Sequence, residues 1–539
     1  MLVDEPGVHE VAEERQRAVM TTGTLATWQT SGASLASPLE GRRLTGWPSL
    51  PLATAITGMA LLRVCVAANA GLSDDEAYYR LWALAPAMSY VDHPPMIAWM
   101  IAAGMWCVGD NPLGIRLAAP LTSLVIPFVL WRTTAILFDR GIAERATWFT
   151  LAMPLLAMGG VIVTPDTSSG LFWGLTAWAL AELHSSRNAN WWLAVGLFSG
   201  LGLLSKYVAL FLGAGIALWI ALLPANWRWL RCWQLWAGGM LAVAVALPVV
   251  LWNAQHEWAS FIMQFGRVVP AKPATTTYLL EFAGACFGLA SPLIAILASW
   301  GLWLTCRAAV VDRSQSHAML AAIISPMLFY LLVHAQHARV QPNWPLPLYP
   351  ALAICAAIAL SAVADPNRIR RLGRAAFIVG FLLSGFLYLH ALRPIAQSPK
   401  IADPTMQLRG WPQFAADIEQ LRLVNGAQWI ATSSYQITGQ LAFQFKSGPQ
   451  IVQLNERLRY VHLPAVDDAV LRSPAIYVDR ERWGPAWTST LLGKRFGTVK
   501  ALGNLTRAYH GTTMATYAIY LVADPIAAVL SPEIMPRWQ

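Results

Sequence analysis

With 56% hydrophobic and only 12% charged residues, 26 tryptophans and a mean hydropathy of +0.46, the 539-residue chain excludes a string of soluble domains as its main body. Its formal charge of +9 does not mark a nucleic-acid binder, because Lys and Arg fall in short gaps between apolar runs with no basic patch interleaved with aromatics. The composition is that of an all-α polytopic membrane protein whose apolar surface faces lipid.

Residues 1–47 carry Asp4, Glu5, Glu10, Glu13, Glu14, Arg15 and Arg17 without an apolar stretch of signal-peptide type, and read as a disordered cytoplasmic tail. Apolar runs near bilayer length follow at 50–70, 117–138, 146–163, 168–183, 191–204, 207–223 and 235–252. Four more lie at 279–305, 318–333, 345–363 and 375–391. A further candidate, PPMIAWMIAAGMWCVG from Pro94, has only 16 residues and opens on two prolines. The expectation is about 11–13 transmembrane helices over residues 48–392, with a first outer loop at about 71–116.

If the Pro94 segment lies along the surface, the gaps holding Arg140 and Arg145, Arg187, Arg228 and Arg231, Arg307 and Arg313, and Arg368, Arg370, Arg371 and Arg374 share one side. The positive-inside rule makes that side the cytoplasm, with the N-terminus inside and the C-terminus outside. The same folding sends LSDDEAYYRLWALAPAMSYVDHPP, TPDTS, SKY, WNAQHEW and HAQHARVQPNWP to the opposite face. From about residue 393 to 539 the composition becomes water-soluble. WPQFAADIEQLRLVNG reads as a helix stopping at Asn425-Gly426, and QWIATS, AIYVDR and TYAIYLVA as buried strands of a small extracytoplasmic α/β domain. The six cysteines show no CxxC spacing and read as packing residues.

The chemistry-bearing residues collect on the outer face. Asp74-Asp75-Glu76 precede Tyr78, Tyr79 and Trp82 at helical spacing, and Asp92-His93-Pro94-Pro95 follows. A carboxylate among acids beside a low-dielectric wall has its pKa pushed upward, into the range useful for taking a proton from a hydroxyl. Lys206, between two apolar runs, reads equally as a snorkelling interfacial lysine or as a clamp for an anion such as phosphate.

Five motifs in order, DDEAYYRLWA…YVDHPP, VTPDTSSGLFWGL, GLGLLSKYVAL, WNAQHEWASF and VQPNWPLPLYP, resemble the bacterial membrane glycosyltransferases related to protein O-mannosyltransferases (glycosyltransferase family 39). That family also includes lipid A aminoarabinose transferases and rhizobial lipopolysaccharide galacturonosyltransferases. The resemblance covers residues 50–391 and implies a GT-C fold in the bacterial inner membrane, with a sugar on a polyprenyl phosphate as donor and a lipid, glycan or protein acceptor in the envelope. It implies Asp75 as catalytic aspartate, Glu76 as its partner, and Lys206 as the grip on the carrier phosphate; on chemical grounds His93 or Arg267 or Arg339 would help Lys206 hold that phosphate. Tyr78, Tyr79, Asp92, Asp166, His256, Glu257, Gln341, Asn343 and Trp344 fall at or beside its motif positions, as substrate-binding candidates. Tyr78 stands where the aminoarabinose transferases have an arginine and Gln341 where relatives often place an acid, so that particular sugar is not implied.

A phosphate is already a good leaving group, so transfer from such a donor needs one carboxylate base and proceeds with inversion. No cofactor is required by this chemistry, while a divalent cation bridging outer carboxylates to the phosphate remains open. The alternative is a transporter or flippase of lipid-linked sugars, which also needs many helices and intramembrane charges. Against it stand the gathering of charged groups at one interface and the lack of an evident repeat between the two halves.

Overall fold

The computed structural model describes residues 46–266, 273–395, 403–480 and 485–530. The tail up to residue 45 and Arg267 lie outside the described residues. In lipid every backbone N–H and C=O needs a partner within the protein, and the apolar runs accordingly fold as helices. In chain order they are α1 (Leu50–Asn69), α2 (Asp74–Leu84), α3 (Met96–Val108), α4 (Pro112–Arg116), α5 (Ala118–Leu137), α6 (Arg140–Ala152), α7 (Pro154–Gly159), α8 (Pro165–Ser186), α9 (Trp191–Leu203), α10 (Ala209–Leu222), α11 (Trp233–Gln255), α12 (Ala259–Phe265), α13 (Thr276–Ala290), α14 (Pro292–Val310), α15 (Gln315–His337), α16 (Tyr349–Ser361) and α17 (Pro366–Leu392).

Among the described residues six helices are long and apolar enough to cross a bilayer: α1, α4 with α5, α11, α14, α15 and α17. A seventh is α10 with the turn Pro224–Arg231, bent by 114°. By that measure the structure holds fewer spans than the 11–13 expected, because several apolar runs are interrupted. The run at 279–305, read as one span, is two helices: Ser291 takes a left-handed φ of 70° and Pro292 opens α14. Pro154 likewise divides α6 from α7. Small residues let the bundle close tightly, as where a Cβ on Gly301 of α14 would fall 1.7 Å from the Cys355 carbonyl oxygen of α16.

The segment from Pro94 forms α3, 13 residues long, about 20 Å and too short for a hydrocarbon core of about 30 Å. Both its ends are tied to the C-terminal part of the chain. Asp92, before it, accepts from Arg459; Asp110, after it, pairs with Arg80 at 2.5 Å and with Lys446 at 3.7 Å. Its two ends, through Asp92 with Arg459 and Asp110 with Lys446, thus both lie against the C-terminal domain.

The C-terminal domain opens with α18 (Trp411–Val424), which ends at Asn425 with Gly426 at a φ of 66°. Five strands follow in one sheet of order β2-β1-β3-β5-β4: β1 (Trp429–Thr432), β2 (Ile451–Gln453), β3 (Ala475–Asp479), β4 (Phe496–Tyr509) and β5 (Thr512–Pro525). The first three are mutually parallel and the last two antiparallel. All four residues of β1 are buried, as befits a strand covered on both faces. The β4–β5 hairpin turns through His510 and Gly511, both at positive φ. Strands β2 and β4 are not evident in the sequence; β4 is largely exposed and carries two glycines.

The domain docks on the bundle through α19 (Tyr435–Gln444), laid against α2. At Gly439 a Cβ would sit 2.7 Å from the Tyr78 amide nitrogen, so only glycine permits this approach. Beside it Gln440 Nε2 donates to the Leu72 carbonyl (3.0 Å) and to Asp74 Oδ1 (2.9 Å).

Candidate active site

Two adjacent acids in the first turn of α2 have opposite environments. Ser73 caps the helix, its hydroxyl accepting from the Glu76 amide at 3.3 Å while Glu76 Oε2 accepts from the Ser73 amide at 2.9 Å, the reciprocal pattern of a capping box. Glu76 also takes Arg116 Nε (2.7 Å), Arg116 Nη2 (2.6 Å) and the Val163 amide (2.9 Å), with both charged side chains fully buried. Four donors fill the acceptor capacity of its two oxygens. The remaining Arg116 bonds reach the carbonyls of Ala67, Ala70 and Gly71 at the end of α1. Glu76, expected as a catalytic partner, is thus turned away from the cavity and fixes the start of α2.

Asp75 instead faces a cavity of about 600 Å³ between the bundle and the C-terminal domain. Its Oδ1 accepts from the Tyr435 hydroxyl at 3.1 Å, and among the described residues no cation is paired with it. Burial pushes its pKa up to about 6; the Tyr435 bond opposes the rise, and the nearby charges of Asp74, Asp92 and Glu76 add to it. That is where a general base working near neutrality belongs.

The bundle side of the cavity holds a compact charge cluster. Thr164 caps α8 and Pro165 takes its first position, which places Asp166 in the first turn, where the helix dipole favours an anion. Asp166 Oδ1 meets Lys206 Nζ at 2.6 Å and its Oδ2 accepts from Asn343 Nδ2 at 2.7 Å. Lys206 comes from the turn between α9 and α10, and Asn343 from the turn before α16, so three distant sequence motifs meet here. His93, Gln341 and Trp344 line the same space.

Asp92 forms the seam between the two sides. Its Oδ2 accepts from the Tyr78 hydroxyl at 2.9 Å and from Arg459 of the C-terminal domain. Arg459 also bonds Glu456 at 3.0 Å and lies 5.0 Å from the Tyr435 ring centroid. Tyr79 stands edge-on to His93, their centroids 6.2 Å apart.

Of the residues singled out from sequence, Asp75, Tyr78, Tyr79, Asp92, His93, Asp166, Lys206, Gln341, Asn343 and Trp344 therefore share one cavity. His256 and Glu257 do not line it. His256 stacks on Trp252 at 4.1 Å and bonds its carbonyl through Nδ1, while Glu257 is exposed. The buried member of that motif is Asn253, whose Oδ1 accepts from the Phe261 amide at 3.1 Å. Arg339 is also away from the cavity, two-thirds exposed and paired with Glu281 at 2.8 Å. Sequence reading missed the opposite wall altogether: Ser433, Tyr435, Gln436, Glu456, Arg459, Asp479 and Arg480. Among the described residues no three His, Cys, Asp or Glu side chains converge as metal ligands.

A helical membrane bundle joined to a small C-terminal α/β domain is the architecture of the GT-C fold. Comparison with known proteins agrees. The profile of the family described as dolichyl-phosphate-mannose-protein mannosyltransferase matches residues 92–252. The chain is 30% identical over 319 residues to the lipid A galacturonosyltransferase RgtD of Rhizobium johnstonii, spanning 56% of this chain and 63% of that protein. It is 25% identical to the undecaprenyl phosphate-alpha-4-amino-4-deoxy-L-arabinose arabinosyl transferase 1 of Pseudomonas fluorescens, over 49% of each. The matched parts are thus less than two-thirds of either relative. Among solved structures, ArnT from Cupriavidus metallidurans bound to undecaprenyl phosphate superposes with a TM-score of 0.62 at 15% identity, covering 90% of this chain and all of that one. The chain is a multi-pass membrane protein of this fold, and the motif resemblance to the protein O-mannosyltransferase-like glycosyltransferases is upheld.

Proposed function

We propose that the chain is a glycosyltransferase of the bacterial inner membrane that moves a sugar from a polyprenyl-phosphate carrier to a lipid or glycan acceptor of the envelope. The observation that carries this reading is the pairing, within one cavity, of an unneutralised carboxylate, Asp75, with a buried ammonium, Lys206. The names of the two relatives, one a lipid A transferase and one specifying an undecaprenyl-phosphate sugar, support the acceptor class and the donor class respectively.

In this mechanism Asp75 takes the proton of the acceptor hydroxyl as its oxygen attacks the anomeric carbon. The bond from that carbon to the phosphate oxygen breaks on the opposite face, inverting the centre, and the electron pair leaves with the carrier phosphate. Lys206 stabilises the charge that develops there. Asp166 and Asn343 keep the ammonium aimed without tying up all three of its donors. Tyr435 orients the base through Oδ1, leaving Oδ2 for the acceptor.

The site faces the periplasm, with the N-terminus cytoplasmic, in keeping with the arginine bias of the gaps on the other side. In a cysteine-free background, cysteines placed at the exposed Met88, beside the buried Ser89, and at Asp110 should both react with an impermeant thiol reagent from outside, whereas one at Arg371 should stay protected. Protection at Asp110 would reverse the assignment. The activity is tested with purified protein in liposomes supplied with undecaprenyl phosphate carrying labelled sugar and with lipid A. Absence of any transferred label across aminoarabinose, hexose and uronate donors would count against a transferase.

A further inference from the structure

The bundle wall of the cavity accounts for a phosphate and a base, but half of the cavity is made by the C-terminal domain. There the sheet topology is informative. The chain leaves the C-terminal end of β1 through α19 toward β2 on one side, and leaves the C-terminal end of its other neighbour, β3, toward β5 and β4 on the opposite side. The connections part at this point and open a crevice. In open α/β sheets such a switch point, outside the carboxyl ends of parallel strands, is where ligands bind.

All three parallel strands deliver their C-terminal ends to the cavity: Ser433 to Gln436 after β1, Asn455 and Glu456 after β2, Asp479 and Arg480 at the end of β3. The side chains offered are two carboxylates, hydroxyls, amides and a guanidinium, the mixture of acceptors and donors that reads neighbouring hydroxyls on a ring. They are already arrayed. Ser433 donates to Asp479 and shares a 2.7 Å bond with the Tyr477 hydroxyl, and the Arg480 amide donates to Asp479 Oδ1 at 2.7 Å. Arg480 is exposed and lines the cavity, its guanidinium beside the Tyr517 ring; its charge acts on Asp74, but it closes no ion pair with a carboxylate among the described residues.

From these observations, and resting on the transferase reading above, we infer that the crevice between the ends of β1 and β3, lined by Ser433, Gln436, Asp479 and Arg480, is a sugar-recognition subsite. A carrier phosphate is confined to the membrane interface by its lipid, so anything attached to it must project toward the water-exposed domain. The bundle then holds the phosphate, α2 supplies the base, and the C-terminal domain chooses the sugar. The same hydroxyl chemistry is carried by the donor sugar and by a sugar of the acceptor.

The test uses the full chain in nanodiscs and the variants Arg480→Gln and Ser433→Ala, both at exposed or half-buried positions. Three affinities are measured: for bare undecaprenyl phosphate, for the same carrier bearing aminoarabinose or galacturonate, and for lipid A. The variants should bind bare carrier like the wild type. Recognition of a sugar should weaken by about 10- to 100-fold for the charged contact and less for the hydroxyl. Weakening confined to the glycosylated carrier assigns the crevice to the donor sugar; weakening confined to lipid A assigns it to the acceptor. Variants that bind all three probes like the wild type, or that lose bare carrier equally, overturn the inference alone. A wild type that binds no carrier overturns the transferase reading and the inference with it.

Discussion

The two walls of the cavity manage charge in different ways. On the bundle wall Asp166, at the start of α8, is closed into a triad with Lys206 and Asn343, and behind the wall Glu76, at the start of α2, is paired with Arg116. On the C-terminal wall the charges hang from strand ends, and one of them, Arg459, reaches across to Asp92. Burying a charge is costly unless it is paired, and on the C-terminal wall the buried Arg459 and Asp479 are paired or hydrogen-bonded as well, so that of these strand-end charges Arg480 alone is exposed to water. Both walls are therefore preorganised, and on the C-terminal wall it is the exposed or half-buried positions, Ser433, Gln436 and Arg480, that can vary at little cost to folding. Asp75 sits where they meet, with a phenol rather than a cation as partner.

The sharpest way to break this contrast is to alter the two neighbouring acids separately. Asp75→Asn should keep the fold and lose about 10²- to 10⁴-fold in turnover, since an amide cannot take the acceptor's proton. Near-normal transfer by that variant would remove Asp75 from the mechanism. Glu76→Gln should do the reverse, costing about 3–5 kcal/mol of stability by leaving Arg116 buried without its counter-charge. Thermal unfolding in detergent separates the two: a lowered Tm belongs to Glu76, a lost rate at unchanged Tm to Asp75. Joint replacement of Glu76 and Arg116 by methionines should recover part of the lost stability, because a buried pair exchanged for apolar groups is often neutral.

A smaller effect probes the bundle wall itself. Lys206→Ala should raise KM for the lipid donor by about 10- to 100-fold with little change for the acceptor, as loss of one charged hydrogen bond would. An equal rise for both substrates would make Lys206 a structural partner of Asp166 and nothing more.

The same contrast explains what was legible in the sequence. Asp75, Asp166, Lys206 and Asn343 stand out because a charge or amide beside an apolar run needs a reason, and membrane composition makes such residues rare. Glu76 stood out for the same reason, and the spacing Ser73-x-x-Glu76 is a capping-box signature that already points to the helix-start position the structure gives it. His256, Glu257 and Arg339 lie in polar gaps between apolar helices without entering the cavity, since loop polarity alone does not distinguish a cavity from solvent. The C-terminal wall was illegible because Ser433, Arg459 and Asp479 are ordinary residues for a soluble domain. Only pairing of β1 with β3 and docking of α19 on α2 bring them to Asp75. One trace was present: the polar groups immediately after the apolar strands WIAT and AIYV.

The finest test of the seam is the bond from Tyr435 to Asp75. Because the pKa of Asp75 is raised by burial to about 6, the ionised base is lost as pH falls, and kcat/KM should drop tenfold per unit below that value and level off above it. The Tyr435 hydroxyl donates to the ionised carboxylate and so holds this pKa lower than burial alone would set it. Tyr435→Phe removes that donor while keeping the ring that packs 4.9 Å from Tyr78. The inflection should then move to higher pH, with activity reduced at pH 6 and largely regained in alkaline buffer. A structural role for Tyr435 would lower the rate at every pH without moving the inflection. An inflection that moved downward would mean that the phenol bonds the protonated acid, which would remove the orienting role given to the C-terminal domain at this residue.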